Sequence, residues 1–186
     1  MLLRAKKEFL NNYARMLAKK HTVMYYKYVS ELGCLVTQSP VGPIAIFADD
    51  DTVHGVRYLQ EGETPKSLGT NEPPAIAQQT AKELREYFSG KRKTFDLPLH
   101  WPAASATRKM LEYTASIPAG ETRNYAQVAK AAGHAGATRA AGTALRRNPF
   151  AIVVPCHRVI RSNGSLGKYA GTDDGRKEKL LAIDRL

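Results

Sequence analysis

The sequence predicts an α+β fold. A small N-terminal domain would hold an antiparallel sheet and a helix, and a mostly helical C-terminal domain would hold a helix-turn-helix of the winged-helix type. Short segments rich in β-branched and aromatic residues alternate with turn residues between residues 24 and 59. From residue 75 onwards, apolar residues recur at helical spacing in several segments. A proline-containing segment, Leu97–Pro102, separates the two parts, so we expect an extension over residues 1–21 and domains over 22–100 and 101–186.

The N-terminal elements follow from residue spacing. Residues 2–20 carry leucines seven apart among basic side chains, which predicts an amphipathic basic helix. Four strands are expected over residues 25–29, 34–37, 44–48 and 53–59, with glycine, proline and aspartate marking the turns. Residues 75–89 then predict a helix that ends at Gly90.

Three helices are expected in the C-terminal half, over residues 107–116, 125–132 and 138–147. Gly133 is the expected stop of the second helix, and a short glycine turn leads to the third, which is typical of a helix-turn-helix. The third helix carries small residues at Ala137 and 140–142, flanked by arginines. Such a surface favours either close approach to DNA or tight packing against a neighbouring helix.

The positive charge is concentrated at the start of the chain and in its second half. The net charge is +11; residues 1–20 carry six basic and one acidic side chain, residues 21–100 carry eight and ten, and residues 101–186 carry fourteen and six. A field of one sign on one part of a protein favours phosphate binding, because neutralised phosphates release counterions. The C-terminal half is therefore the candidate nucleic-acid surface.

One cysteine lies in a distinctive setting. The apolar run 151–154 ends at Pro155, which predicts a short buried strand with Cys156 and His157 directly after it. The thiolate is the reactive form of cysteine, and nearby positive charge and a base increase its population. His157, Arg158 and Arg161 all lie within five residues of Cys156. The alternative is a buried structural cysteine.

Several classes of protein are disfavoured. The two cysteines, Cys34 and Cys156, are too far apart in sequence for a disulfide framework or a C-x-x-C metal motif, and the five histidines are scattered. We therefore expect no metal and no cofactor. No apolar stretch reaches about 18 residues, and the N-terminus lacks a signal-peptide pattern. We expect no membrane association, a monomer, and a cytoplasmic, nucleoid-associated location, or a nuclear one in a eukaryote.

The C-terminal half resembles the O6-alkylguanine-DNA alkyltransferases. The order and spacing of its motifs match that family over about 70 residues, whereas residues 22–100 resemble its N-terminal domain only loosely. The matching segments are Ile117-Pro118-Ala119-Gly120-Glu121-Thr122, Tyr125, Arg139-Ala140-Ala141-Gly142, Asn148-Pro149, Pro155-Cys156-His157-Arg158-Val159-Ile160, Gly164 and Lys177 with Leu180-Leu181.

The resemblance implies repair of double-stranded DNA that contains O6-alkylguanine. Cys156 would accept the alkyl group irreversibly, so that each molecule acts once. His157 would activate the thiol through a water, and Asp184 is the candidate to orient the histidine. In an extended segment neighbouring side chains point to opposite sides, which is consistent with an indirect route between Cys156 and His157. No cofactor is implied.

The resemblance also implies how the lesion is reached. The nucleotide would be flipped out of the stack. Arg139 would fill the gap, Ala140 would lie in the minor groove with the rest of its helix, and Tyr125 would press on the flipped nucleotide and protonate the leaving purine. Asn148 would hold the turn before the cysteine. Ser162 would contact the DNA backbone, and the guanine pocket would be lined by Leu166, Tyr169, Gly171 and Lys177.

The chain departs from the family pattern at three places. Asp184 stands where glutamate is usual and reaches one methylene less. The segment 171–175 replaces the usual Gly-Gly-Leu and brings Asp173 and Asp174 to the mouth of the pocket. Ala106-Thr107 replaces a Phe-Gln pair, which favours altered packing between the domains.

Two other functions fit parts of this pattern. The first is a damage sensor or regulator that binds and flips the lesion without repairing it; relatives of that kind replace the cysteine, which this chain retains. The second is a cysteine hydrolase that uses Cys156 and His157. Such enzymes need the imidazole to face the sulfur directly, which neighbouring positions in a strand disfavour.

Overall fold

The computed structural model describes residues 32–64, 68, 72–102 and 105–186. The predicted N-terminal helix over residues 2–20 and the first predicted strand, 25–29, lie outside the described residues. The strands are β1 (Gly33–Thr37), β2 (Ile44–Ala48), β3 (Val53–Tyr58), β4 (Arg123–Asn124) and β5 (Val159–Ile160). The helices are α1 (Ala75–Phe88), α2 (Ala106–Ala115), α3 (Tyr125–Ala131), α4 (Thr138–Arg146) and α5 (Arg176–Ile183), with a 3₁₀ turn at Cys156–Arg158.

The N-terminal part is the predicted antiparallel sheet with a helix. The strands β1, β2 and β3 are neighbours in that order, and the register pairs Thr37 with Ile44 and Ile44 with Tyr58. The central strand β2 is buried along its whole length. Successive residues of a strand point to opposite faces, and accordingly Ile44 and Ile46 belong to the main core while Phe47 joins a second apolar cluster.

The C-terminal part contains the predicted helix-turn-helix, formed by α3 and α4. The ends of both helices lie within one residue of the predicted ends. Asn124 starts α3 with a capping box, in which its side chain accepts from the Gln127 backbone and the Gln127 side chain accepts from the Asn124 backbone. Gly133 has φ +80° and its N–H donates to the Lys130 carbonyl 3.0 Å away. The α+β fold class is confirmed.

The predicted strand over residues 151–154 is wrong. The chain reverses direction there, with Ile152 in the left-handed region at φ +73° and the Val154 N–H bonded to the Phe150 carbonyl at 2.9 Å. An apolar run shows burial, but it does not distinguish a strand from a buried turn. The start of this turn is held by β3, because the Val56 N–H donates to the Pro149 carbonyl and the Ala151 N–H donates to the Val56 carbonyl, both at 2.8 Å. The N-terminal sheet thus supports the segment that leads to Cys156.

The extended conformation assumed for Cys156 and His157 is also wrong, since both belong to the 3₁₀ turn. Directly after this turn, β5 pairs with β4 in parallel, with Asn124 opposite Ile160. Because Tyr125 begins α3 immediately after β4, this short pairing brings the start of the helix-turn-helix beside the cysteine turn.

Candidate functional site

Cys156 is held at the end of the buried turn by Asn148. The Asn148 side-chain amide donates to the Val154 carbonyl at 2.8 Å and to the Phe150 carbonyl at 3.3 Å, and it lies 3.3 Å from the Cys156 sulfur. Its carbonyl accepts from the Phe150 N–H at 3.0 Å. One side chain therefore contacts both the turn and the sulfur.

A cluster of polar side chains is buried behind the cysteine. Nε2 of His157 lies 3.1 Å from Oδ2 of Asp184. Arg158 donates to both carboxylate oxygens, from Nε at 2.7 Å and from Nη2 at 2.8 Å, and its Nη1 donates to the Ile117 carbonyl at 2.6 Å. The Tyr87 hydroxyl donates to Oδ1 of Asp184 at 2.9 Å. Asp184 is therefore satisfied by three residues from two separate parts of the chain, the 157–158 pair and Tyr87.

The charges in this cluster leave His157 as a neutral base. Burial opposes ionisation of Asp184, but hydrogen bonds from His157 and Arg158 outweigh it and hold its pKa below the ordinary value. Burial lowers the pKa of His157, against the opposing effect of Asp184. With Nε2 facing a carboxylate, the imidazole proton lies on Nε2. Nδ1 is then a lone-pair acceptor, and it is buried without a protein partner in the part of the chain that the structure describes.

Cys156 is a protonated thiol in this state of the protein. Burial raises its pKa, while the Asn148 hydrogen bond and the charge of Lys177 lower it. The positive charge that favours the thiolate thus comes from Lys177, whereas Arg158 is committed to Asp184. An attack by this sulfur would require a base to take its proton, and the next residue in the chain, His157, is a neutral imidazole.

Lys177 is itself buried and fixed. Its ammonium donates to the carbonyls of Val159 and Leu166, both at 2.6 Å. Burial lowers its pKa to about 8. It therefore joins α5 to the strand after the cysteine turn and to the loop that begins at Leu166.

The Cys156 side chain is partly exposed and reaches a cavity of about 530 Å³. This volume is within the range of small-molecule sites. Tyr125 and Arg139 line it from the helix-turn-helix, and Tyr169 and Gly171 line it from the following loop. Burial raises the pKa of Tyr125, so its hydroxyl stays protonated. A side chain at Gly142 would meet the Tyr125 ring about 4 Å away, so the small residue leaves that wall clear.

The remaining predicted residues lie around this opening or beside it. Arg139 and Ala140 are exposed in the first turn of α4, and Ser162 is exposed after β5. Leu166 and Lys177 line a neighbouring cavity of about 210 Å³ together with Asp173 and Asp174. Of the small residues of α4, Ala141 is buried in the core and only part of the predicted surface is open.

The two aspartates of the unusual loop do not line the larger cavity. Asp174 accepts from the Thr172 hydroxyl at 3.0 Å and forms an ion pair with Arg176 at 3.1 Å. Arg176 in turn lies over the ring of Tyr58, 4.4 Å from its centroid. The acidic side chain of Asp174 is thus neutralised locally by Arg176.

Sequence reasoning missed the contributions of Tyr87, Arg158 and Tyr58. Tyr87 lies 97 positions before the aspartate that it contacts, and Tyr58 donates to the Tyr169 hydroxyl at 3.2 Å across 111 positions. From the sequence, Arg158 is expected only to add positive charge near the sulfur. The local sequence offers no signal for the two tyrosines, because each occupies an ordinary core position of its helix or strand.

Within the described ranges, no group of three or more His, Cys, Asp or Glu side chains is arranged to hold a metal ion. Nor does any helix in those ranges have the length and apolar character needed to cross a membrane.

The comparisons with known families cover both parts of the chain. Residues 105–186 match the 6-O-methylguanine DNA methyltransferase, DNA binding domain, and residues 24–101 match the 6-O-methylguanine DNA methyltransferase, ribonuclease-like domain.

Two curated relatives are named methylated-DNA–protein-cysteine methyltransferase. The constitutive protein of Bacillus subtilis is 38% identical over 154 residues, which cover 80% of this chain and 93% of the relative. The protein of Methanosarcina acetivorans is 38% identical over 152 residues, with 80% and 96% covered.

The fold is also similar to solved structures of an O6-methylguanine methyltransferase. The Mycobacterium tuberculosis O6-methylguanine methyltransferase matches with a TM-score of 0.72 and 31% identity, over 83% of this chain and 93% of that one. A structure of the M. tuberculosis protein in complex with DNA matches with a TM-score of 0.71 and 33% identity, over 81% and 91%.

Proposed function

The chain belongs to the 6-O-methylguanine DNA methyltransferase family, and on that basis we propose that it transfers one alkyl group from O6-alkylguanine in double-stranded DNA to its own Cys156. It is a methylated-DNA–protein-cysteine methyltransferase and a DNA-repair enzyme, as its curated relatives are named. The observation that carries the assignment to Cys156 is the position of its sulfur. The sulfur accepts a hydrogen bond from Asn148, and Cys156 lines a cavity that the helix-turn-helix also lines.

The proposed chemistry is a displacement at carbon. The Cys156 thiol gives its proton, through a bridging water, to Nδ1 of His157, and Asp184 stabilises the imidazolium through Nε2. The sulfur electron pair forms the S–C bond while the C–O6 bond breaks. The electrons of that bond stay on the purine, which takes a proton from the Tyr125 hydroxyl, and the proton held by the His157 imidazolium returns through solvent to the Tyr125 phenolate. The products are a thioether and an unmodified guanine.

The unpartnered Nδ1 supports this route. A buried acceptor left without any hydrogen bond would cost about 1–3 kcal/mol, so the bridging water that the route requires would be stabilised at Nδ1. The raised pKa of Cys156 supports it further. A thiol that is neutral in the resting protein must lose its proton at the moment of attack.

Access to the lesion is proposed to occur by nucleotide flipping. O6 of guanine lies within the duplex, so a sulfur at the floor of a cavity reaches it only when the nucleotide leaves the stack. Arg139 and Ala140 are exposed on the first turn of α4, where they would face the gap and the minor groove. Ser162 would contact the backbone, and residues 101–186 would supply the DNA surface. Leu166 and Lys177 would support the pocket loop from behind.

The proposal is tested by locating the adduct. We expect that incubation with duplex DNA containing O6-methylguanine adds the mass of one methylene group to the peptide that contains Cys156. Cys156→Ala should take up no methyl group. Cys34→Ala is the matched control, because burial raises the pKa of Cys34 to about 11 and the residue lies outside the site; it should be methylated like the wild type. A wild-type Cys156 peptide of unchanged mass would refute the proposal.

A further inference from the structure

We propose that Tyr87, a residue of the N-terminal part, is a positioning residue for alkyl transfer: its hydroxyl limits the charge that Asp184 presents to His157 and so sets the pH range of the reaction. This inference rests on the proposed function. It assigns a chemical task to α1, which shares no face with the cavity that opens to Cys156.

The hydroxyl of Tyr87 is close to both Asp184 and His157. The hydroxyl donates to Oδ1 of Asp184 at 2.9 Å, and the hydroxyl oxygen of Tyr87 lies 3.5 Å from Nε2 of His157. Tyr87 is only 1% exposed, and His157 is fully buried. Solvent therefore screens these contacts little, and each keeps a larger electrostatic effect than it would have at the surface.

The Tyr87 ring is fixed by its neighbours. It lies in the last turn of α1, where its centroid is 5.4 Å from that of Phe88 and 5.6 Å from that of Phe95. Aromatic pairs at these separations pack favourably. The hydroxyl is thus presented to Asp184 in one orientation, and its removal leaves the ring in place.

The effect on His157 has a definite sign. A hydrogen bond to a carboxylate stabilises its negative charge and weakens its pull on any other donor. Without the Tyr87 hydroxyl, Asp184 would attract the protonated imidazole more strongly, and the pKa of His157 would rise. His157 would then hold a proton at a pH where it should be free to accept one from Cys156.

The other charged groups around His157 do not replace this contact. Arg158 is committed to both oxygens of Asp184, and Lys177 donates to two backbone carbonyls; both charges disfavour an imidazolium. Lys93 reaches only the main-chain carbonyl of Asp184, at 3.4 Å. Tyr169 meets the imidazole edge to face, with ring centroids 6.1 Å apart.

The test is the pH profile of single-turnover methyl transfer in Tyr87→Phe. We expect the acid limb of the profile to move upward by about 0.5 to 1 pH unit, so that the rate on the acid side falls by about three- to tenfold. On the alkaline side the rate should approach that of the wild type. Tyr113→Phe, on α2 and outside the cluster, is the matched control and should keep the wild-type profile.

A second measurement reads the same coupling without DNA. In the full chain, the imidazole ¹⁵N shifts of His157 should titrate at a higher pH in Tyr87→Phe than in the wild type. An unchanged titration and a rate lowered by the same factor at every pH would overturn the inference and leave Tyr87 a packing residue. Failure of the wild type to take up any methyl group would instead refute the proposed function, and the imidazole titration would still decide the role of Tyr87.

Discussion

At the scale of single residues, the site contains the aspartate Asp184 where a glutamate is usual in the family. Asp184 nevertheless reaches His157 at 3.1 Å and takes two hydrogen bonds from Arg158. Its position just after the last turn of α5, with its N–H bonded to the Leu180 carbonyl at 2.9 Å, directs the short side chain inward. The loss of one methylene is thus compatible with the relay geometry.

Asp184→Asn should destabilise the protein, because it leaves the buried Arg158 guanidinium without its counter-charge. Removal of one partner of a buried ion pair costs about 3–5 kcal/mol in the free energy of unfolding. Asp174→Asn is the matched control, since its pair with Arg176 is partly exposed and should contribute less than about 1 kcal/mol. Urea unfolding of both variants measures the difference, and equal losses would contradict the account.

The pH dependence of stability should report the buried imidazole. The folded-state pKa of His157 is lowered, so the unfolded chain takes up a proton near pH 6.5 and the folded chain takes it up only at a lower pH. The free energy of unfolding should therefore fall as the pH drops from 7 towards 5, and the contribution of Asp184 should be lost only at lower pH. His157→Gln should flatten the slope between pH 7 and 5. A variant with the full wild-type slope would exclude His157 as its source.

At the scale of elements, the position of the sulfur results from two short pairings rather than from one long strand. The edge of β3 holds Pro149 and Ala151, and β4 holds β5 directly after the cysteine turn. Between them Ile152 adopts a left-handed conformation, which costs a β-branched residue about 1–2 kcal/mol. The surrounding core and the Asn148 hydrogen bonds must compensate for this strain.

Helix α4 should matter for duplex DNA and not for the chemistry at the sulfur. Arg139→Ala removes the side chain that we expect to fill the vacated stack. Methyl transfer from duplex DNA should slow by at least about tenfold, the equivalent of about 1.4 kcal/mol. Reaction with free O6-benzylguanine, which needs no flipping, should change little.

Arg85→Ala is the matched control for this experiment, because Arg85 is also an exposed helical arginine but lies on α1. It should react like the wild type with both substrates. Equal slowing of both reactions in Arg139→Ala would exclude the stacking role.

At the scale of the whole molecule, the N-terminal sheet and helix contact the candidate site directly. Tyr87 of α1 contacts Asp184, Tyr58 of β3 contacts Tyr169, and the edge of β3 supports the cysteine turn. The boundary expected near residue 100 therefore separates two sequence regions, but residues of both regions contribute contacts to the candidate site.

The sequence predicts the elements better than the contacts between them. The helix that begins at Ala75 and the helix-turn-helix have apolar residues at helical spacing and glycine stops. Their ends lie within one residue of the predicted ends. The run 151–154 does not form the predicted strand, because hydrophobicity indicates burial and not backbone direction. The hydrogen bonds of Tyr87 and Tyr58 span about a hundred positions, and no local pattern reports a contact that only the folded core creates.

The central claim is that Cys156 receives the alkyl group and is consumed, and the stoichiometry of transfer tests it most directly. With a large excess of duplex DNA containing O6-methylguanine, the amount of restored guanine should rise to one equivalent per protein molecule and stop, with all of the protein methylated at Cys156. Continued release of guanine beyond one equivalent, or a plateau reached while Cys156 stays unmodified, would contradict the account.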